Sequence, residues 1–165
     1  MCGIFGWIKY RTPLAENERI AAQKATRLLA HRGPDYEGLW SDASVFMGHR
    51  RLSILDLRPE AHQPFWDRTH RYAMIYNGEI YNYEELKRPL EQRGVVFRTR
   101  SDTEVALEAY ALDGTNAFST FNGMYALAIH DTQTGRHRLF RDPLGQKPLY
   151  YFCYPDGVIT HPNCG

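Results

Sequence analysis

The sequence predicts an α+β domain in which stacked sheets are covered by helices. Three observations carry that expectation: short apolar runs of strand composition toward both ends of the chain, helix-period segments between them, and glycine-bearing turn signals that join successive strands as hairpins.

The elements follow in order. Met1-Cys2-Gly3-Ile4-Phe5-Gly6 is apolar and glycine-punctuated, and reads as a buried strand that holds the N-terminus inside the fold. Glu16 to Ala30 carries Ile20, Ala21, Ala25, Leu28 and Leu29 at spacings of three and four, the pattern of an amphipathic helix. His31-Arg32-Gly33-Pro34-Asp35 breaks it and begins a loop. Strands are expected at Ser44 to His49, Arg51 to Asp56 and Tyr72 to Asn77. A helix over Tyr83 to Arg93 starts from Asn82 as N-cap and stops at Gly94. The next runs from Ser101 or Asp102 to Leu112, because Ser101 and Glu104 stand at capping-box spacing. Strands return at Met124 to His130, Arg138 to Arg141, Leu149 to Tyr154 and Val158 to Thr160, with hairpin signals at Thr134-Gly135 and Asp156-Gly157. No linker, low-complexity tract or internal repeat divides the chain, so one domain over 1–165 is expected.

Composition sets outer limits. The 165 residues, 43% hydrophobic and 24% charged, suffice for a core of two or more layers. Twenty basic and nineteen acidic side chains leave a formal charge of +1, and no basic run marks a nucleic-acid site. No apolar stretch approaches the roughly 20 residues that span a membrane, and no charged-then-apolar leader opens the chain. A cytoplasmic protein with neither nucleic-acid nor membrane partner is expected. The three cysteines, Cys2, Cys153 and Cys164, lack metal-ligand spacing and give no disulfide framework; Cys153, beside an aromatic run, reads as a buried thiol. The seven histidines are scattered, so neither a metal nor a cofactor is expected.

Cys2 carries the clearest chemical meaning. Removal of Met1 would put a thiol and a free α-amine on one residue. With pKa values of about 8.5 for the thiol and about 7.7 to 8.0 for the amine, the amine can take the thiol proton and no histidine is needed. A second-position cysteine alone means little, but here a strand ties down a terminus that would otherwise fray.

Six blocks then stand in order: Met1-Cys2-Gly3-Ile4-Phe5-Gly6, His31-Arg32-Gly33-Pro34-Asp35, Arg51-Leu52-Ser53-Ile54-Leu55-Asp56, Asn77-Gly78-Glu79-Ile80-Tyr81-Asn82, Ser101-Asp102-Thr103-Glu104 and Arg141-Asp142-Pro143-Leu144-Gly145. Together they resemble the glutaminase domain of class II glutamine amidotransferases, most of all that of glutamine-hydrolysing asparagine synthetases, from Met1 to about Tyr151. The resemblance implies an N-terminal nucleophile hydrolase fold, a four-layer α-β-β-α sandwich of two largely antiparallel sheets. It also implies hydrolysis of L-glutamine to glutamate and ammonia through a Cys2 γ-glutamyl thioester.

Roles follow by the same resemblance. Asn77 and Gly78 supply the side-chain amide and backbone N–H of an oxyanion hole, and a glycine at 78 admits close approach of a ligand; from spacing alone a plain tight turn is the favoured reading of Asn-Gly. Arg51 takes the substrate α-carboxylate and Asp102 its α-amine. A surface ion pair for Arg51 and a helix cap for Asp102 remain open. Leu52, Ile54, Leu55 and Glu79 line the same pocket, with pairing to a neighbouring base as the other reading of Glu79. The His31 to Asp35 block shapes or closes the site, or is a turn anchored by Pro34, and the Arg141 to Gly145 block is a turn without chemistry.

The pattern also departs from the family. The Ser-Gly-Gly-x-Asp-Ser loop of the ATP-dependent synthetase domain is missing, and the tail His161-Pro162-Asn163-Cys164-Gly165 differs from the expected Ser-Glu-x-Lys. The ammonia acceptor is therefore expected to be an ATP-dependent synthetase domain or subunit outside this chain. An amidase for another amide, and a non-catalytic glutamine-binding module, stay open beside the glutaminase.

Overall fold

The computed structural model describes residues 1–161; Cys164 and the tail after His161 lie outside the described residues. Nine strands and three α-helices follow in the order β1 (Gly3–Lys9), α1 (Glu16–Leu28), β2 (Tyr36–Ser41), β3 (Val45–Arg51), β4 (Phe65–Trp66), β5 (Tyr72–Ile80), α2 (Tyr83–Gln92), α3 (Asp102–Asp113), β6 (Gly123–Asp131), β7 (Arg136–Arg141), β8 (Tyr150–Tyr154) and β9 (Gly157–His161). One sheet has the order β2-β3-β1-β9-β8 and the other β4-β5-β6-β7, with every pairing antiparallel.

The period-two alternation of the strands builds the layers. Ile4 and Ile8 of β1 face inward with Ala73, Ile75, Ala126, Ala128 and Val158, forming the core between the sheets. Phe5 of β1 and Phe46 of β3 face outward, under Ala22 of α1 and Leu29. On the far side Met74, Tyr76, Tyr125 and Leu127 pack beneath Leu90 of α2 and Val105, Leu107 and Tyr110 of α3. The result is the expected four-layer α-β-β-α sandwich. Fully buried Ile4 and nearly buried Phe5 and Ile8 stabilise the first strand by roughly 1.5–3 kcal/mol each, so the N-terminal segment is anchored.

Several local expectations are corrected. Arg51 to Asp56 is not a strand: Arg51 ends β3, and the residues after it leave the sheet. β2 occupies residues assigned to loop, paired with β3 from Tyr36↔Arg51 to Ser41↔Phe46. Cys153 is exposed, because β8 is an edge strand with Tyr151 and Phe152 open to solvent. Asn82 stands at the N-cap of α2 without capping it. Its side chain instead accepts from Asn122 N–H (2.9 Å) and donates to Thr120 C=O (3.0 Å).

Gly94 does end α2. Its φ is +85°, and Val95 N–H reaches back to Leu90 C=O while Gly94 N–H reaches Glu91 C=O, the Schellman arrangement. Among the described residues no helix is long and apolar enough to cross a membrane.

Candidate active site

β1 is hydrogen-bonded to β3 along one side and to β9 along the other, which fixes Cys2 one residue ahead of a doubly paired strand. Gly3 is required there: a Cβ would lie 2.7 Å from Leu29 Cβ in the layer above. β3 brings Arg51 to the same end, β5 brings Asn77, Gly78 and Glu79, and the start of α3 brings Asp102. A cavity of about 150 Å³ gathers every residue expected for the site: Cys2, Arg51, Leu52, Ile54, Leu55, Asn77, Gly78, Glu79 and Asp102. That is below the roughly 300–1,000 Å³ of drug-sized sites and suits a small metabolite. A larger cavity of about 790 Å³, around Lys9, His137 and Cys153, holds none of these residues. The thiol of Cys2 lines the smaller of these two cavities.

Leu52 brackets that thiol. Its N–H donates to Cys2 Sγ at 3.4 Å, and Sγ donates to its C=O at 3.7 Å. Burial pushes the thiol pKa up, against the Leu52 N–H, the terminal amine and the Arg51 guanidinium, which favour the thiolate. A thiol in that state needs a base to become nucleophilic.

Two opposite charges stand uncompensated. Arg51 is 6% exposed, donates to the C=O of Arg58 (3.2 Å) and of Asp56, and has no carboxylate within ion-pair distance among the described residues. Burial pushes its pKa down. Asp102 is 4% exposed and has no cation within that distance; its Oδ2 accepts from the Tyr76 hydroxyl (2.7 Å) and Ile80 N–H (2.9 Å). Burial pushes its pKa up. Ser101, not Asp102, is the N-cap of α3, accepting from Glu104 N–H at 3.3 Å. Only half of the capping box forms, because the Glu104 carboxylate turns to Arg98 N–H and Thr99 N–H.

Asn77 is 2% exposed, and its Nδ2 has no hydrogen-bond partner although it lines the cavity. A buried donor without a partner costs on the order of 1–3 kcal/mol, a cost a ligand acceptor would relieve. The need for glycine at 78 comes from the neighbouring strand: a Cβ would meet Met124 O at 2.4 Å and Tyr125 Cα at 2.7 Å. Glu79 is exposed and forms no ion pair among the described residues.

The His31 to Asp35 block braces this centre. Arg32 Nε donates to Cys2 C=O at 3.3 Å, Arg50 Nε to Gly33 C=O at 3.0 Å, and Ser53 N–H to Asp35 Oδ2 at 2.7 Å. Sequence reasoning missed Lys147 and Tyr76. The turn after Arg141 hangs Lys147 over the cavity, with its N–H on Asp142 Oδ2 (2.9 Å), its C=O on Arg141 Nε (2.7 Å) and Nζ on Met1 Sδ (2.8 Å). Burial pushes the Lys147 pKa down, with Arg32 acting in the same direction. No pattern in the letters flags either residue, since both act through tertiary placement. Among the described residues no three His, Cys, Asp or Glu side chains gather as a metal site.

Comparison with known proteins agrees with this geometry. The chain is 41% identical over 162 residues to asparagine synthetase [glutamine-hydrolyzing] 1 of Bacillus subtilis, covering 96% of this chain and 25% of that protein. It is 36% identical over 150 residues to asparagine synthetase B [glutamine-hydrolyzing] of Escherichia coli, covering 91% and 26%. The chain thus spans about a quarter of the length of these relatives. A glutamine phosphoribosylpyrophosphate amidotransferase structure from B. subtilis, complexed with ADP and GMP, superposes with a TM-score of 0.78 at 23% identity, over 97% of this chain and 41% of that one. That likeness shows a shared fold, the four-layer α-β-β-α sandwich. A family model described as a glutamine amidotransferase domain matches residues 1–161, and the chain belongs to that family.

Proposed function

We propose that this domain hydrolyses L-glutamine to L-glutamate and ammonia, with Cys2 as nucleophile. The observation that carries the reading is the charge and donor pattern of one cavity. A buried cation without a carboxylate, a buried carboxylate without a cation and a buried amide donor without an acceptor surround a thiol. Glutamine supplies the complement of each: an α-carboxylate for Arg51, an α-ammonium for Asp102 and a carbonyl oxygen for Asn77.

The chemistry balances on these residues. After Met1 is removed, the Cys2 amine accepts the thiol proton and the thiolate attacks the side-chain carbonyl carbon. The oxyanion is held by Asn77 Nδ2 and the Gly78 N–H. Collapse breaks the C–N bond, the ammonium of Cys2 returns its proton to the departing nitrogen, and ammonia leaves a thioester. Water, deprotonated by the same amine, releases glutamate and restores the thiol. Leu52, Ile54, Leu55 and Glu79 wall the substrate.

The single domain works with an ATP-dependent synthetase domain or subunit that takes the ammonia, in keeping with the longer relatives named above. A cytoplasmic setting goes with this reading, because the nucleophile must stay a reduced thiol. Release of glutamate and ammonia from glutamine tests it, with asparagine and simple acyl amides as comparators. Glutamine-selective release is the expected result. Binding without release would make the domain a glutamine-binding module, and equal turnover of the acyl amides would make it a broader amidase.

A further inference from the structure

We propose that Tyr76 is a specificity-determining positioning residue, whose hydroxyl holds the Asp102 carboxylate in place to read the α-ammonium end of the substrate. This rests on the glutaminase reading above and adds to it a residue outside the six sequence blocks' assigned roles.

Tyr76 is 2% exposed and engaged at all three of its polar groups. Its N–H donates to Gln63 Oε1 at 2.6 Å, its C=O accepts from His49 Nε2 at 3.1 Å and its hydroxyl donates to Asp102 Oδ2 at 2.7 Å. A carbonyl only accepts, so the proton of His49 sits on Nε2. The backbone of Tyr76 is therefore held on both sides, and its ring is held by core packing and by the bond from its hydroxyl.

Asp102 has no cation within ion-pair distance among the described residues, so neutral donors must support its charge. Tyr76 and the Ile80 N–H both donate to Oδ2. Hydrogen bonds to a charged acceptor are the stronger kind, and each favours the ionised carboxylate. An arriving ammonium completes the pair. The other charged or titratable groups that face this carboxylate are Glu79 of β5 and Cys2 ahead of β1, with Arg51 and Lys147 lining the same cavity. Tyr76 also directly precedes Asn77 in β5, so one anchored residue sets both the amino-end contact and the strand position of the amide donor.

Steady-state kinetics of the unaltered chain and of Tyr76→Phe test this, on glutamine and on glutaramic acid, which lacks only the α-amino group. On glutamine, kcat/KM should fall roughly 10- to 100-fold, the span for losing a hydrogen bond to a charged group, mostly through KM. The acid limb of its pH profile should move to higher pH, because the ionised carboxylate has lost a donor. On glutaramic acid the loss should be much smaller, and that turnover also reports that the variant is folded. In an Asp102→Asn background the same substitution should add nothing. Equal losses on the two substrates, or an unchanged KM and acid limb on glutamine, would overturn the role of Tyr76 while leaving the glutaminase intact. An unaltered chain that turns over neither substrate would overturn both.

Discussion

The backbone of Leu52 holds the Cys2 thiol from two sides, donating to Sγ at 3.4 Å through its N–H and accepting from Sγ at 3.7 Å through its C=O. The nucleophile is thus aligned by main chain, and whatever places residue 52 places the thiol. Asp35 has that task, since its Oδ2 accepts from Ser53 N–H at 2.7 Å and its own N–H bonds Arg51 C=O. Asp35→Ala should lower kcat/KM on glutamine roughly 3- to 10-fold, the worth of one ordinary hydrogen bond. Thermal unfolding should barely move, because the bond is exposed. An unchanged rate would show that the loop after β3 holds itself.

Asn77→Ala should cut kcat by roughly 100- to 1,000-fold, the usual cost of losing one oxyanion donor. KM should change little, because the amide is needed mainly where charge develops. A loss confined to KM would make Asn77 a ground-state binding residue instead.

Arg51→Lys should raise KM for glutamine roughly 10- to 100-fold with kcat nearly kept. The guanidinium holds the C=O groups of Arg58 and Asp56 while offering its remaining donors to a carboxylate, and a lysine ammonium cannot span that fork. Unaltered KM in the variant would remove Arg51 from the substrate clamp.

His49 makes acid stability a separate test. It is fully buried between the sheets, and burial lowers its pKa to about 3. An unfolded histidine takes up a proton below about 6.5, while the folded one stays neutral. The folded state is therefore fully favoured above pH 6.5 and loses about 1.4 kcal/mol per pH unit as pH falls toward 3. Urea midpoints across pH 4 to 7 should carry that slope as one share of the total, because burial also lowers the pKa of His62, His130 and His137. His49→Gln, which keeps a donor for Tyr76 C=O, should flatten it by one proton's worth, and an identical slope would contradict the buried neutral state.

Legibility in the sequence followed the range of the forces involved. The alternating apolar runs marked most strands of both sheets, though not β2 or β4, and Gly94 and Gly135 marked a helix end and a hairpin turn, at φ +85° and +67°, because those are local preferences. The segment after Arg51 has strand composition yet loops out. Buried Asp56 draws in the Arg58 N–H and guanidinium and the Arg100 N–H, replacing a ladder with side-chain bonds that no local pattern encodes. Burial of Cys153 was misread for a related reason: an edge position depends on which strand arrives last beside β9. All residues expected in the site do line one cavity, whereas Lys147, Tyr76 and the neighbour that forces glycine at 78 needed the third dimension.

The central claim is that Cys2 becomes an N-terminal nucleophile. In the unprocessed chain its nitrogen is part of a peptide bond and Met1 lines the cavity. Intact-protein mass spectrometry before and after incubation with 6-diazo-5-oxo-norleucine, alongside glutamate release and a Cys2→Ala control, tests this most directly. The account predicts a mass lacking Met1, one covalent adduct that maps to Cys2 and is lost in Cys2→Ala, and glutamate production. An active chain that retains Met1, or an adduct at another residue, would contradict it.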